Sequence, residues 1–124
     1  MQLLSTILVA LVAMEHVYIL VLEMFLWTKP STMKTFGITA EQAETSKTLA
    51  ANQGLYNGFL AAGLFYSLIA SAPNVAFQFK VFFLLCVIVA GIYGGVTAKP
   101  RITLVQAVPA LIALVVTIIA GVST

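Results

Sequence analysis

Four long apolar runs, at about 3–27, 48–71, 76–98 and 102–122, are separated by short stretches where Lys, Thr, Glu, Pro and Asn concentrate. Each run is near the roughly 20 residues that a helix needs to cross a hydrocarbon core of ~30 Å. The runs do not alternate apolar with polar positions as barrel strands do, and a helix satisfies its own backbone in lipid. The pattern therefore predicts an all-α polytopic membrane protein. The expected architecture is one domain over residues 1–124, a four-transmembrane-helix bundle with helices at about 3–27, 40–71, 74–98 and 102–122. No Lys or Arg precedes the first run, which continues past Glu15 and His16 to Trp27, so it reads as a span rather than a cleaved leader.

Composition strengthens this picture. Hydrophobic residues make up 61% and charged residues 8% of the chain, where a soluble domain carries about a quarter charged. Mean hydropathy is +1.08. Of the six basic residues, Lys29, Lys34 and Lys47 fall in the first connection and Lys99 and Arg101 in the third, with Lys80 near the second. The positive-inside rule then places the first and third connections in the cytoplasm and both termini outside. Lys80 is expected to snorkel to the outer interface. A net charge of +2 without a dense basic patch excludes nucleic acid as a partner. The expected partner is the lipid bilayer.

Prolines and a capping signature set the connections. Pro30 cannot continue the first helix, and Gly37 can supply a turn. Thr39-Ala40-Glu41-Gln42 reads as a capping box, which starts the second helix near Ala40. Pro73 and Pro100 mark the next two breaks, and Pro109 deprives the Val105 carbonyl of its usual helical donor, predicting a kink there.

Against this apolar background Glu15, His16 and Glu23 stand out in the first span. Ionic groups at membrane depth cost roughly 2.5 to 3.5 kcal/mol each, and they mark functional sites by default. His16 and Glu23 are seven residues apart, two turns along one helix face. The second helix carries Asn52, Gln53, Tyr56 and Asn57 across an arc of roughly 140°, beside a small stripe of Ala50, Gly54, Gly58 and Ala62. A small stripe lets a neighbouring helix approach closely. The third helix offers a similar surface around Ala90, Gly91 and Gly94, so the two small faces are expected to pair. From a rise of about 1.5 Å per residue, Glu23, Asn52, Tyr93 and Gln106 lie at one level about 6 to 8 Å inside the cytoplasmic edge, with Asn57, Glu15 and His16 deeper. The inference is a polar cavity open to the cytoplasm. Its candidate ligand-binding or proton-relay residues are Glu15, His16, Glu23, Asn52, Gln53, Tyr56, Asn57, Tyr93, Thr97 and Gln106.

Several chemistries are excluded by counting. One His and one Cys, Cys86, cannot build a usual zinc or haem site, so no metal is assigned. A single thiol forms no internal disulfide. Gly54 and Gly58 are mid-helix packing positions rather than a phosphate loop. No serine sits in a nucleophile elbow, and no catalytic residue or cofactor is assigned. Three readings of the site remain: a pocket for a small lipophilic or amphipathic molecule, as binding protein or as membrane enzyme; a proton-coupled transporter using Glu15; and a structural network without ligand. A four-helix protein of this size is expected to act as a homo-oligomer, dimer or trimer.

The segments Glu15-His16-Val17-Tyr18-Ile19, Leu22-Glu23-Met24-Phe25-Leu26-Trp27 and Asn52-Gln53-Gly54-Leu55-Tyr56-Asn57-Gly58-Phe59-Leu60-Ala61-Ala62-Gly63 resemble a bacterial family of four-helix membrane proteins catalogued as a domain of unknown function. The resemblance covers essentially the whole chain. It implies an inner-membrane location and no particular activity. More distantly, the architecture is similar to that of the membrane-associated eicosanoid and glutathione metabolism proteins, with Asn52 to Tyr66 resembling their polar motif early in helix two. That motif has a Glu where Leu55 stands, and the arginines that surround glutathione are reduced here to Arg101. The small multidrug-resistance transporters offer a functional analogy: Glu15 looks like their single embedded carboxylate, which exchanges a proton for a cationic substrate.

Overall fold

Prolines position the helix starts. The computed structural model describes residues 1–122, and every element among them is helical, with no strand. The order is α1 (Gln2–Met24), α2 (Pro30–Phe36), α3 (Ala40–Ile69), α4 (Pro73–Thr97) and α5 (Pro100–Ala120). Pro30, Pro73 and Pro100 each occupy the first turn of a helix, where the missing N–H costs nothing and the fixed φ suits the turn.

α1 ends at Met24, short of the expected Trp27. The amides of Phe25 and Leu26 both converge on the Val21 carbonyl, unwinding the chain ahead of Lys29, whose backbone Pro30 holds extended. The first connection, expected to be loop, contains α2. This short helix closes with Gly37 in the left-handed region at φ 67°. The Ile38 amide donates to the Met33 carbonyl and the Gly37 amide to that of Lys34, the paired bonds of a Schellman cap. The capping box at the start of α3 forms reciprocally: the Thr39 amide donates to Gln42 Oε1 at 2.9 Å, and the Gln42 amide to Thr39 Oγ1 at 3.1 Å.

α1, α4 and α5 are each long and apolar enough to cross a membrane. α3 is longer, at 30 residues, but Glu41, Glu44, Lys47, Asn52, Gln53 and Asn57 dilute its apolar character. Large apolar side chains such as Leu3, Ile7 and Leu11 on α1 and Leu111, Ile112, Ile118 and Ile119 on α5 point outward. In water such an apolar shell would be an aggregation liability; in lipid it is the expected surface.

The chain divides into two compact units, Met1–Met14 with Leu60–Thr124 and Glu15–Phe59, with α1 and α3 each running through both. The first unit has a core of Val9, Val12 and Ala13 from α1, Leu64 from α3, Leu84 and Val87 from α4, and Ala110, Ala113 and Leu114 from α5. Ser5 and Thr117 share a buried hydroxyl hydrogen bond of 2.7 Å between α1 and α5. Near the same end Gln2 Nε2 donates to the carbonyls of Ala120 and Gly121, capping the last turn of α5.

The small surface of α4 meets α5. A Cβ on Gly91 would stand 2.7 Å from the Ala107 amide nitrogen, and one on Gly94 2.9 Å from Ile102 Cγ2. Thr103–Ala107 of α5 forms a π-helical turn, in which the Val108 amide donates to the Thr103 carbonyl. Its position just before Pro109 has a physical reason. A proline ring clashes with the carbonyl four residues earlier, here Val105, and the wider turn relieves that contact. Thr103 Oγ1 also donates to the Gly91 carbonyl at 2.9 Å, tying the turn to α4.

Candidate functional site

The second unit joins α1 to α3 through glycine. A Cβ on Gly54 would meet Met24 Cγ at 2.7 Å and Glu23 Cβ at 3.0 Å, and one on Gly58 would meet Leu20 Cδ1 at 2.6 Å. Only hydrogen at these positions lets the α1 backbone come this close. Between the two glycines Asn57, a short side chain, then reaches across: its Nδ2 donates to Glu23 Oε1 at 2.6 Å.

Both partners are buried, Asn57 at 7% exposure and Glu23 at 8%. His16, two turns before Glu23 on the same helix face, is 1% exposed. Glu15 is half-buried, and its Oε1 is enclosed without a hydrogen-bond partner. Glu15, His16, Glu23 and Asn57 thus supply two carboxylates, an imidazole and an amide at buried or half-buried positions of the unit, with Glu15 Oε1 left unpartnered.

Trp27 anchors the connection after α1. Its indole Nε1 donates to Ser46 Oγ at 3.1 Å, and Ser46 donates in turn to the Gln42 carbonyl. The Trp27 ring packs edge-on against Phe36 of α2, with centroids 4.8 Å apart. Thr32 of α2 is buried and its hydroxyl lacks a partner.

The other candidates on α3 lie on a different arc. Asn52, Gln53 and Tyr56 are exposed, and Tyr56 packs edge-to-face with Phe59 at 5.7 Å. Of the small stripe, Ala50 and Gly54 are buried, Gly58 is half-buried and Ala62, in the first unit, is exposed. Tyr93, Thr97 and Gln106 also belong to the first unit. Tyr93 is exposed, and the Thr97 hydroxyl is used locally, donating to the Tyr93 carbonyl at 2.7 Å. Gln106 is half-buried within the π-helical turn. A small cleft in this unit is lined by Gln2, Pro73, Ala76, Phe77, Lys80, Thr117 and Gly121, and includes none of the candidates.

Sequence reasoning passed over Ser5, Thr117 and Ser46. Each carried the signal that flagged Asn57, a polar residue in or beside an apolar run. Among the described residues no group of three His, Cys, Asp or Glu side chains is placed to hold a metal ion.

These features define a small all-helical protein with three helices of membrane-spanning length and a buried Glu23–Asn57 pair between α1 and α3. The chain belongs to the family described as protein of unknown function (DUF1304), which matches residues 10–118. It is similar to the uncharacterized protein YpaA of Lactococcus lactis subsp. lactis (strain IL1403), at 35% identity over 117 residues, covering 93% of this chain and 97% of that one. No solved structure matches it.

Proposed function

We propose that this is a multi-pass protein of the bacterial inner membrane, with α1, α3, α4 and α5 all crossing and both termini outside. We further propose that Glu15, His16, Glu23 and Asn57 bind the polar end of a small lipophilic or amphipathic molecule reached from the cytoplasmic side. The crossing of α3 is supported by its share in a core otherwise built from the three helices of spanning length. The orientation rests on the placement of Lys29, Lys34, Lys47, Lys99 and Arg101.

The observation that carries the ligand reading is Glu15 Oε1, enclosed and unpartnered on the helix that also carries the buried Glu23. Buried polar atoms are normally satisfied, and an orphaned carboxyl oxygen is a natural contact for a ligand group. A purely structural network has no use for the extra carboxylate.

The test is mass spectrometry of small molecules released from the purified full-length protein. A species present with the wild type and lost from folded Glu15→Gln and Glu23→Gln variants supports the reading. Identical extracts from all three proteins would overturn it. Proton-coupled transport is the second reading, favoured by the same free oxygen of Glu15. It requires proton-linked uptake that Glu15→Gln abolishes while ligand binding persists.

A further inference from the structure

Lys80 stands two turns into α4, about 10 Å along the axis from Pro73 and on the same helix face. It is half-buried, and among the described residues it has no ion pair. The first unit offers it no acidic side chain: the four in the sequence, Glu15, Glu23, Glu41 and Glu44, all fall in the second unit. A charge within a helix of membrane-spanning length is costly unless something meets it. Lys80 lines the small cleft of the first unit together with Gln2 of α1, Pro73 and Phe77 of α4 and Thr117 of α5. The cleft therefore lies where α1 and α4 begin and α5 ends.

The rest of the cleft wall adds donors to this cation. Thr117 is 1% exposed, and its hydroxyl shares one hydrogen bond with that of Ser5. Two hydroxyls in one such bond commit a single proton between them, so the second proton remains to donate. Pro73 lies in the first turn of α4, so the cleft also opens at the positive end of that 25-residue helix. We propose that this cleft binds the phosphate of an anionic phospholipid, with Lys80 as its counter-ion. A phosphodiester carries one negative charge, which one lysine matches. The cleft is small enough to take headgroup oxygens alone, while the acyl chains stay in the bilayer beside exposed side chains such as Ile118 and Ile119 of α5. A zwitterionic lipid compensates its phosphate with its own amine and gains less from Lys80. Free phosphate shares the chemistry without the chains that hold a lipid in place. This inference is independent of the ligand reading, which concerns residues of the second unit.

The experiment is native mass spectrometry of the full chain in detergent, with phosphatidylglycerol, phosphatidylethanolamine or inorganic phosphate added. The wild type is expected to bind phosphatidylglycerol about fivefold more tightly than phosphatidylethanolamine, the scale of one lysine at an anionic lipid surface, and inorganic phosphate should not displace it. Lys80→Gln should lose this preference and Lys80→Arg should keep it. Arg101→Gln, which removes an exposed cation outside the cleft, should leave it unchanged. Thermal unfolding gives a second readout, since a lipid that binds the folded state raises the melting temperature. Phosphatidylglycerol should do so for the wild type and Lys80→Arg but not for Lys80→Gln. Equal binding of the two lipids by the wild type would overturn the proposal without any variant. So would a preference that survives Lys80→Gln or falls equally in Arg101→Gln. Displacement of phosphatidylglycerol by inorganic phosphate would overturn a lipid as the source of the bound group.

Discussion

Asn57 donates a 2.6 Å hydrogen bond to Glu23 across the α1–α3 contact, and Gly54 and Gly58 are what let it reach. The amide is the donor present for that buried carboxyl oxygen. Asn57→Ala strands the acceptor, and leaving a buried polar group unsatisfied costs about 1–3 kcal/mol. Thermal unfolding in detergent should show that loss. Glu23→Gln keeps an acceptor oxygen for Asn57 and is expected to retain most of the stability while losing any co-purified ligand.

The two glycines differ in what a methyl group would meet. At Gly54 the neighbours include Glu23 Cβ and the Leu20 carbonyl, whereas at Gly58 the nearest atom is the mobile end of Leu20. Gly54→Ala should therefore destabilise by about 1–3 kcal/mol, as overpacking does. Gly58→Ala should be near neutral, because a helix-propensity gain of about 1 kcal/mol offsets a small shift of Leu20. Thermal scans of the two variants side by side test this ranking.

The buried hydroxyl pair Ser5–Thr117 ties α1 to α5 in the first unit. A double-mutant cycle with Ser5→Ala and Thr117→Val should return a coupling of about 0.6 kcal/mol, the usual scale for interhelical hydrogen bonds in membranes. Zero coupling would show that the two hydroxyls are satisfied separately.

At the start of α3, Thr39→Ala removes the acceptor for the Gln42 amide. A loss of about 0.5–2 kcal/mol is expected, confined to the first turns. Amide hydrogen exchange should quicken around residues 40–43 and stay unchanged near Asn57.

Much of this was legible from local chemistry. Helical character followed from run length, the capping box from Thr39 and Gln42, and the shared burial of His16 and Glu23 from their seven-residue spacing. α2 was not foreseen, although Pro30 and Gly37 bracket it with the residues that start and stop helices. A seven-residue helix is too short to show periodicity. The division of the α3 polar arc was hidden as well. Helical spacing gives the angle between Asn52 and Asn57 but not which of them a neighbour approaches, and that depended on α1 closing onto Gly54 and Gly58. Likewise Pro109 signalled a disturbance in α5, while the form it takes, a π-helical turn bonded to Gly91 by Thr103, depended on the tight α4–α5 contact.

The central claim is that the carboxylates of α1 serve a ligand rather than only holding helices together. Its most direct test is the electron density around Glu15 in an experimental structure of the full chain purified from its native membrane. The account predicts non-protein density within hydrogen-bonding distance of Glu15 Oε1, absent from the Glu15→Gln protein. A protein side chain bonded to that oxygen, with no such density in the wild type, would contradict it.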